Sequence, residues 1–330
     1  MIFNKKQGIE DSLIFDRRQG GLVTEKAYGS RVTAFLYGTL IGGLFLLVIK
    51  RRWVSKCYAL FQKIRPSRAK ILKFANEYGL IVDDLYSYDS FNDFIARKEK
   101  RQINNEENVL IAPADSRLTS LKIKSGELIE IKGKKYTVAR LIMDKELSEE
   151  FEGGYALIFR LAVYDYHRYC FPDSGEIVLR KTISGVLDSV NYGVTGKFSL
   201  CGNYRKVSLL ETKNFDKVVF IEVGAMLVGR MVETHKSRIF RKGDEKGYFE
   251  FGGSTLVMLL KKDIVAIDED ILEYSRHGVE IKVKYGEKIG ETSGGKTDGK
   301  IGETSGGKTD GKTGETTGGK TGEKIGEKND

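Results

Sequence analysis

Hydrophobic and polar positions divide the chain into parts with different periodicities. Residues 32–49 (VTAFLYGTLIGGLFLLVI) are uncharged and mostly apolar, and 18 residues is the lower limit for crossing a bilayer core of about 30 Å. From residue 109 onward, short β-branched runs such as VLIAPA, ALIFRLAV and KVVFIEVGAMLVGRMV are separated by Gly, Asp and Lys turns. The pattern predicts an α+β protein, with N-terminal helices followed by a mostly antiparallel β barrel or sandwich.

Positive charge follows the apolar segment directly. Residues 50–73 contain nine lysines and arginines and no acidic residue, with aromatic and aliphatic side chains between them. A basic amphipathic helix beside an apolar segment is typical of a protein on an anionic membrane, where each surface cation contributes about 1 kcal/mol. The alternative is a solvated helix beside a buried apolar hairpin. The net charge of +9 is not accompanied by a nucleic-acid-binding motif, so no nucleic acid partner is predicted.

A helix start is predicted at SFNDFIARKEK, residues 90–100. Ser90 has the side chain of an N-cap residue, and Asp93 stands three residues later, where a capping box usually has Glu. We therefore expect a capped helix over these residues.

Cysteine and histidine are too few and too scattered for a stapled or metal-bound fold. The three cysteines (Cys57, Cys170 and Cys201) are odd in number and widely spaced, which excludes a disulfide framework. They also lack the close Cys/His spacing of a structural zinc site, and the chain has 3 histidines. No metal site is predicted.

The C-terminal segment is a low-complexity repeat. Residues 289–300 read IGETSGGKTDGK, residues 301–312 are identical, and residues 313–324 are a variant copy. Few apolar side chains are present to offset an ordering cost of about 1–2 kcal/mol per residue, so residues 289–330 are predicted to be disordered. Each copy matches the phosphate-loop pattern G-x-x-x-x-G-K-[ST], but without the flanking strand and helix that such a loop needs. No nucleotide binding is predicted.

Two segments contain candidate chemistry. DYHRYCFPDSG (residues 165–175) places His167 among polar residues after an apolar run, where a histidine is either structural or catalytic. In GYFEFGGSTLVML, the Gly253–Ser254 pair interrupts two apolar runs. Glycine there marks either a bulge or a scissile bond, because the Ser254 hydroxyl would have unhindered access to the preceding carbonyl.

Four segments, in this order, match the motifs of one family. They are SFNDFIARK, IAPADSRL (residues 111–118), DYHRYCFPDSG and FEFGGSTLV (residues 249–257). Together they resemble the conserved segments of the pyruvoyl-dependent phosphatidylserine decarboxylases, and the resemblance extends from about residue 28 to residue 290. It implies decarboxylation of phosphatidylserine to phosphatidylethanolamine through a Schiff base with a pyruvoyl cofactor.

The resemblance also implies roles for single residues. Autocatalytic serinolysis between Gly253 and Ser254 would turn Ser254 into the pyruvoyl group. Asp115 would belong to the self-processing charge relay, and His167 would lie near the substrate. Cys170 stands where the family has a second histidine, usually the relay base. A thiol with a pKa near 8.5 is a weak base at neutral pH unless positive charge lowers that pKa.

One departure lies beside Asp115, where Ser116 replaces the family's usual glycine. The resemblance implies a bacterial enzyme at the cytoplasmic face of the cell membrane. Its partners would be phosphatidylserine, an anionic membrane surface, and the large and small chains of one processed precursor, with homo-oligomerisation left open. The alternative is an uncleaved relative that binds anionic lipid without catalysis.

The predicted organisation has four parts. They are a polar segment (1–31), membrane-associating helices (32–104), a mostly β decarboxylase domain (105–288) and the repeat tail (289–330).

Overall fold

A computed structural model of the chain divides into two units, Met1–Gly295 and Lys296–Asp330. The structure describes residues 12–25, 35–36, 38–82, 84–124, 129–131, 134–187, 200–225, 230–250 and 254–294. All of these belong to the first unit. The repeats after residue 295 lie outside the described residues, so their predicted disorder stays a prediction.

The described strands form four sheets. They are β1 (Ser12–Asp16), β2 (Gly21–Glu25), β3 (Val109–Ile111), β4 (Ser116–Lys122), β5 (Ile129–Ile131), β6 (Lys134–Tyr136), β7 (Tyr155–Leu161), β8 (Arg168–Cys170), β9 (Gly175–Ile183), β10 (Arg205–Thr212), β11 (Lys217–Val223), β12 (Met231–Glu233), β13 (Ile239–Phe240), β14 (Glu245–Phe249), β15 (Ser254–Leu260), β16 (Val265–Ile267), β17 (Glu280–Val283) and β18 (Lys288–Thr292).

The described helices are short. They are α1 (Leu40–Ile49), α2 (Arg52–Gln62), a 3-10 helix (Arg65–Lys70), α3 (Ile71–Tyr78), a 3-10 turn (Leu85–Ser87), α4 (Phe91–Ile95), α5 (Val138–Ile142), α6 (Lys145–Glu149) and α7 (Glu269–Arg276).

One large sheet organises the fold, in the order β13-β9-β10-β11-β15-β7-β4-β17-β1-β2. Neighbouring strands are antiparallel except for β1 and β17, which are parallel. Strand β15 lies near the middle, and every one of its side chains is buried. A strand buried on both faces needs a covering layer on each side of the sheet.

Both covering layers are present. On one face, the three-stranded sheets β12-β14-β8 and β16-β18-β3 bring Phe249 and Ile289 into a core with Leu256 of β15. On the other face, α5 and the residues after α6 bring Leu141 and Phe151 against Val257 and its neighbours. Leu256 and Val257 alternate between these cores because successive side chains of a strand point to opposite faces.

The prediction of a mostly antiparallel α+β fold is confirmed, but a closed barrel is wrong. The large sheet ends at β13 on one side and β2 on the other, and these edges do not pair with each other. Residues 12–25, left as a polar segment in the sequence analysis, form the hairpin β1–β2. This hairpin extends the sheet beyond β17 instead of allowing it to close.

The N-terminal helices occupy the predicted region. In the apolar stretch 32–49, α1 covers Leu40–Ile49. No helix among the described residues is long and apolar enough to cross a membrane. The basic stretch forms α2, the first 3-10 helix and the start of α3, as the pattern predicts.

The predicted cap of α4 is confirmed, with an earlier end. The Ser90 hydroxyl accepts a hydrogen bond from the Asp93 amide, and the Asp93 carboxylate accepts one from the Asp89 amide. The helix ends at Ile95 rather than near residue 100. The Arg168 guanidinium donates to the carbonyls of Ala96 and Arg97 just after the helix.

The predicted start of the disordered tail, at residue 289, is too early. Residues 288–292 form β18, which pairs with β16 and β3. Ile289 is fully buried in the core, so the first repeat begins inside the folded unit. The prediction of disorder rested on the average composition of the repeats. That average does not show that one apolar side chain, Ile289, points into the core.

Candidate active site

The candidate residues meet at one end of the large sheet. Ser254 begins β15 and pairs with Leu161 at the end of β7. Ser116 begins β4 and pairs with Val283 at the end of β17. Because Arg117 pairs with Arg160, Ser116 lies level with Leu161 on the next strand. Strands are spaced by about 4.8 Å, so Ser116 is roughly 10 Å from Ser254.

The Ser254 side chain is fully buried and unusually placed. Its exposed fraction is 0%, and its hydroxyl has no hydrogen-bond partner among the described residues. It therefore makes no hydrogen bond to Asp115, His167 or Cys170. Gly253 lies outside the described residues. A buried hydroxyl without a partner is costly, and such exceptions in native structures call for an explanation.

Asp115 is held by cationic and backbone groups. Its carboxylate accepts from the Lys284 ammonium at 2.8 Å and from the Tyr285 amide at 2.9 Å, and the Arg101 guanidinium lies 3.7 Å away. These contacts fix the position of the carboxylate at the start of β4.

Cys170 lies on the other side of Tyr285. Its amide donates to the Pro113 carbonyl at 3.0 Å, which places it beside the loop that leads to Asp115. Burial raises the pKa of Cys170 to about 12, and the weaker lowering effect of its hydrogen bond to the Tyr285 side chain does not offset this. The cysteine is a neutral thiol at physiological pH. The Lys242 ammonium also lowers this pKa, but burial outweighs it, so the thiol is not activated as the relay base.

His167 lies in the loop between β7 and β8 and is fully buried. Its Nδ1 is 2.8 Å from the Asp165 carbonyl oxygen. A carbonyl oxygen only accepts hydrogen bonds, so Nδ1 carries a proton, and Nε2 is the ring nitrogen that can take up or release one. The His167 carbonyl accepts from the Phe249 amide at 3.0 Å, which ties the loop to the strand before the 251–253 segment.

A buried ion network on the opposite face supports this loop, and sequence reasoning missed it. Arg117 forms ion pairs with Glu25 and Asp165, and Arg160 bonds Glu25 at 2.8 Å and Glu280 at 2.5 Å. Burial alone would raise the pKa of Glu25, but the two guanidinium groups outweigh it and lower that pKa. Arg117 lies in the IAPADSRL segment, which the sequence analysis recognised. Its ion-pair partners come from distant parts of the chain, so the sequence did not indicate them.

Glu222 is a second buried charge that the sequence analysis did not single out. Its carboxylate accepts from the Lys246 ammonium at 2.5 Å, and both side chains are about 1% exposed. Glu222 is the single acidic residue in the apolar run KVVFIEV of β11, which was the available signal.

The N-terminal helices contact this same end of the sheet. Lys63, just after α2, donates to Glu250 at 2.6 Å, immediately before the 251–253 segment. Tyr78 of α3 stacks on Tyr164, with ring centroids 4.6 Å apart. Val163, in the loop that leads to His167, belongs to the core of the helical region.

Comparison with known proteins matches most of the chain to one family. Residues 91–291 match a family model described as phosphatidylserine decarboxylase. The chain is 45% identical over 287 residues to phosphatidylserine decarboxylase proenzyme 2 of Clostridium acetobutylicum, covering 85% of this chain and 98% of that protein. It is 37% identical over 302 residues to the phosphatidylserine decarboxylase proenzyme of Fusobacterium nucleatum, covering 88% of this chain and 99% of the relative.

Proposed function

Because the chain belongs to the phosphatidylserine decarboxylase family, and is therefore a decarboxylase that converts phosphatidylserine to phosphatidylethanolamine, we propose that Ser254 is the residue on which its chemistry depends. One observation carries this proposal. The Ser254 hydroxyl is fully buried and has no hydrogen-bond partner in the described part of the chain, at the first residue of the central strand β15.

Self-processing would use that hydroxyl in place. Its oxygen attacks the carbonyl carbon of residue 253, and the amide C–N bond breaks as an ester C–O bond forms. Loss of the Ser254 α-proton then expels the residue 253 carboxylate, and hydrolysis of the remaining enamine releases ammonia. The small chain begins with a pyruvoyl group in place of Ser254. When formed, this group supplies the electron sink that decarboxylation of an amino acid requires.

The residues around Ser254 fit a group of this kind. Leu161 lies beside Ser254 on the next strand and is itself buried, so the Ser254 side chain is shielded from bulk water. Strand β15 fixes the following residues through ladders on both sides, which holds the new chain end in place. Positioning of this kind is how a folded chain supports chemistry on its own backbone.

His167 is the proposed proton carrier. The Nδ1 bond to Asp165 orients the ring and makes Nε2 the basic nitrogen, in a residue type that titrates near neutral pH. Since Cys170 stays protonated, we assign the transfer of the Ser254 proton to His167, with the Asp115 carboxylate stabilising the relay through Lys284 and Tyr285. The same ring would deliver a proton to the substrate carbon after carbon dioxide leaves.

Membrane attachment through the N-terminal helices is also proposed. Large apolar side chains are exposed along them instead of being buried: Leu40, Ile41, Leu44, Phe45, Leu47, Val48, Trp53, Leu60 and Phe61. A contiguous exposed apolar surface with neighbouring cations supports insertion into the head-group region of an anionic leaflet. The contacts of Lys63 and Tyr78 would then hold the active site at the surface of the cytoplasmic leaflet.

Intact-mass spectrometry of the purified full chain tests the proposal. We expect two polypeptides cut before Ser254, with the smaller one blocked at its first residue by pyruvoyl, together with release of carbon dioxide from phosphatidylserine vesicles. A single full-length chain without decarboxylase activity would overturn the assignment. That result would instead support an uncleaved, anionic-lipid-binding relative.

A further inference from the structure

A polar cavity lies on the same face of the large sheet as Ser254. Its volume is about 140 Å³, and it extends between the large sheet and the β12-β14-β8 sheet. Its charged lining runs from the exposed Arg180, through the half-buried Lys181, Lys206 and Glu233, to the fully buried Glu222 and Lys246. The interior end is therefore a buried ion pair and not an apolar wall.

The two carboxylate oxygens of Glu222 differ in their hydrogen bonding. Its Oε1 accepts from the Lys246 ammonium at 2.5 Å and from the Tyr169 hydroxyl at 3.3 Å. Its Oε2 is buried and has no hydrogen-bond partner among the described residues. A buried carboxylate oxygen without a donor is expensive, so this position favours a ligand with N–H groups.

The cavity also has an unmatched positive charge. Arg180 is paired with Glu233 at 3.0 Å, and Lys246 is paired with Glu222. Lys206 donates only to the Met231 carbonyl at 3.3 Å and has no carboxylate partner among the described residues. Lys181 also borders the cavity but pairs with Asp144 at 3.2 Å. The ammonium of Lys206 therefore leaves an excess positive charge, which favours a ligand that also carries an anionic group.

The interior end of the cavity is close to Ser254. Glu222 pairs with Leu256 across β11 and β15, and Leu256 and Ser254 lie on the same face. Glu222 and Ser254 are therefore diagonal neighbours, and such neighbours are about 7–8 Å apart. Lys206 pairs with Glu222 on the next strand, one step farther from Ser254. An ammonium at Glu222 and an anion at Lys206 would be separated by about one strand spacing.

We propose that this cavity binds the serine phosphodiester head group of the substrate, with Glu222 Oε2 accepting from its ammonium and the Lys206 ammonium holding its phosphodiester. This inference rests on the proposed function, because it places the substrate amine beside the residue that is processed. It assigns substrate recognition to side chains of β10 and β11, outside the four recognised segments.

Binding to the uncleaved chain tests the cavity without any need for catalysis. Full-length Ser254→Ala protein is titrated by calorimetry with glycerophosphoserine, glycerol 3-phosphate and inorganic phosphate. We expect glycerophosphoserine to bind at least tenfold more tightly than the two probes that lack an ammonium. Adding Glu222→Gln should remove this preference, since an amide gives no charge-assisted bond. Adding Lys206→Met should weaken all three probes at least tenfold.

Lys217→Met is the matched control. Lys217 begins β11, the strand that carries Glu222, but it lies outside the cavity lining and pairs with Glu150 at 3.0 Å. The same charge is removed, and binding should stay within twofold of the Ser254→Ala parent. Equal effects of Lys217→Met and Lys206→Met would mean a general charge effect and would overturn the assignment.

Two further results decide the remaining cases. Equal affinity for glycerophosphoserine and inorganic phosphate would reduce the cavity to a simple anion site and would refute the proposal. If Glu222→Gln does not fold, the preference of the parent for glycerophosphoserine, together with its loss of affinity in Lys206→Met, still decides. If the unmodified chain neither cleaves itself nor decarboxylates phosphatidylserine, the proposed function is wrong. If the Ser254→Ala chain binds glycerophosphoserine no more tightly than the other probes, only the assignment of the cavity is wrong.

Discussion

Two regions of the molecule differ in which side chains they bury. At the Ser254 end of the large sheet charged side chains are buried, whereas on the N-terminal helices large apolar side chains are exposed. Around Ser254, Arg117 and Glu25 are almost completely buried and paired with each other, and Glu222 is buried and paired with Lys246. On α1, large apolar side chains such as Leu40 and Leu44 are 92% and 67% exposed. Each arrangement is unfavourable for a protein surrounded only by water.

The difference indicates two environments. Buried ion pairs stabilise little by themselves, because desolvation offsets much of the attraction, but they fix one arrangement of the loops that they join. Exposed apolar helices gain from a second apolar phase, which a membrane would provide. The contacts of Lys63 and Tyr78 join the two regions, so they can be altered separately and compared.

The largest expected effect concerns Ser254. Ser254→Ala removes the attacking oxygen, so the chain should remain uncleaved and decarboxylation should be undetectable. Thr255→Val is the matched control, because Thr255 is also buried with an unpartnered hydroxyl but points to the opposite face. Intact-mass spectrometry should find Thr255→Val cleaved. Cleavage that persists in Ser254→Ala would show that another residue is processed.

Breaking the buried network should affect stability. Arg117→Met removes the guanidinium that pairs with Asp165 and one of the two that pair with Glu25, and the loss in unfolding free energy should be about 3–5 kcal/mol. Arg276→Met, in the exposed pair with Glu269, should cost less than about 1 kcal/mol. Urea denaturation of the two variants measures the difference. Similar midpoints would mean that the buried charges do not hold the sheet end together.

Charge on α1 should affect lipid binding and leave stability unchanged. Leu44→Asp places a carboxylate on an exposed apolar surface, and its affinity for phosphatidylglycerol vesicles in a sedimentation assay should fall roughly tenfold or more. Met143→Asp is the control, since Met143 is equally exposed but lies at the end of α5 in a left-handed conformation that Asp tolerates. Equal vesicle affinity of the two variants would argue against α1 as the attachment surface.

The smallest effect concerns thiol reactivity. The pKa of Cys170 is raised to about 12 by burial, so the folded protein keeps it as an unreactive thiol at pH 8. The exposed Cys57 should react with iodoacetamide under the same conditions. Burial favours the protonated form in the folded state, so this contribution to stability is present below about pH 8.5 and is lost as the pH rises towards 12. Peptide mapping that finds Cys170 labelled first at pH 8 would contradict this.

Sequence patterns predicted the parts of the molecule that depend on local signals. The Ser90 cap and the strand-like apolar run after Gly253 follow from residue types within a few positions, and the resemblance implied roles for Asp115 and His167. The hairpin 12–25 was missed because its partner β17 is more than 250 residues away in the chain. Glu222 appeared as a single acidic residue in an apolar run, and its meaning depends on Lys246, which a different strand supplies.

Cleavage before Ser254 would divide the polypeptide inside the large sheet. The residues that follow contribute β15, inserted between β11 and β7, and β17, inserted between β4 and β1. The strands of the two products would alternate within one hydrogen-bonded sheet. Separating the products would therefore break backbone hydrogen bonds on both sides of β15 and of β17. The contacts that hold the large and small chains together would therefore be the same contacts that stabilise the fold. Separating the two chains would require denaturation rather than dilution.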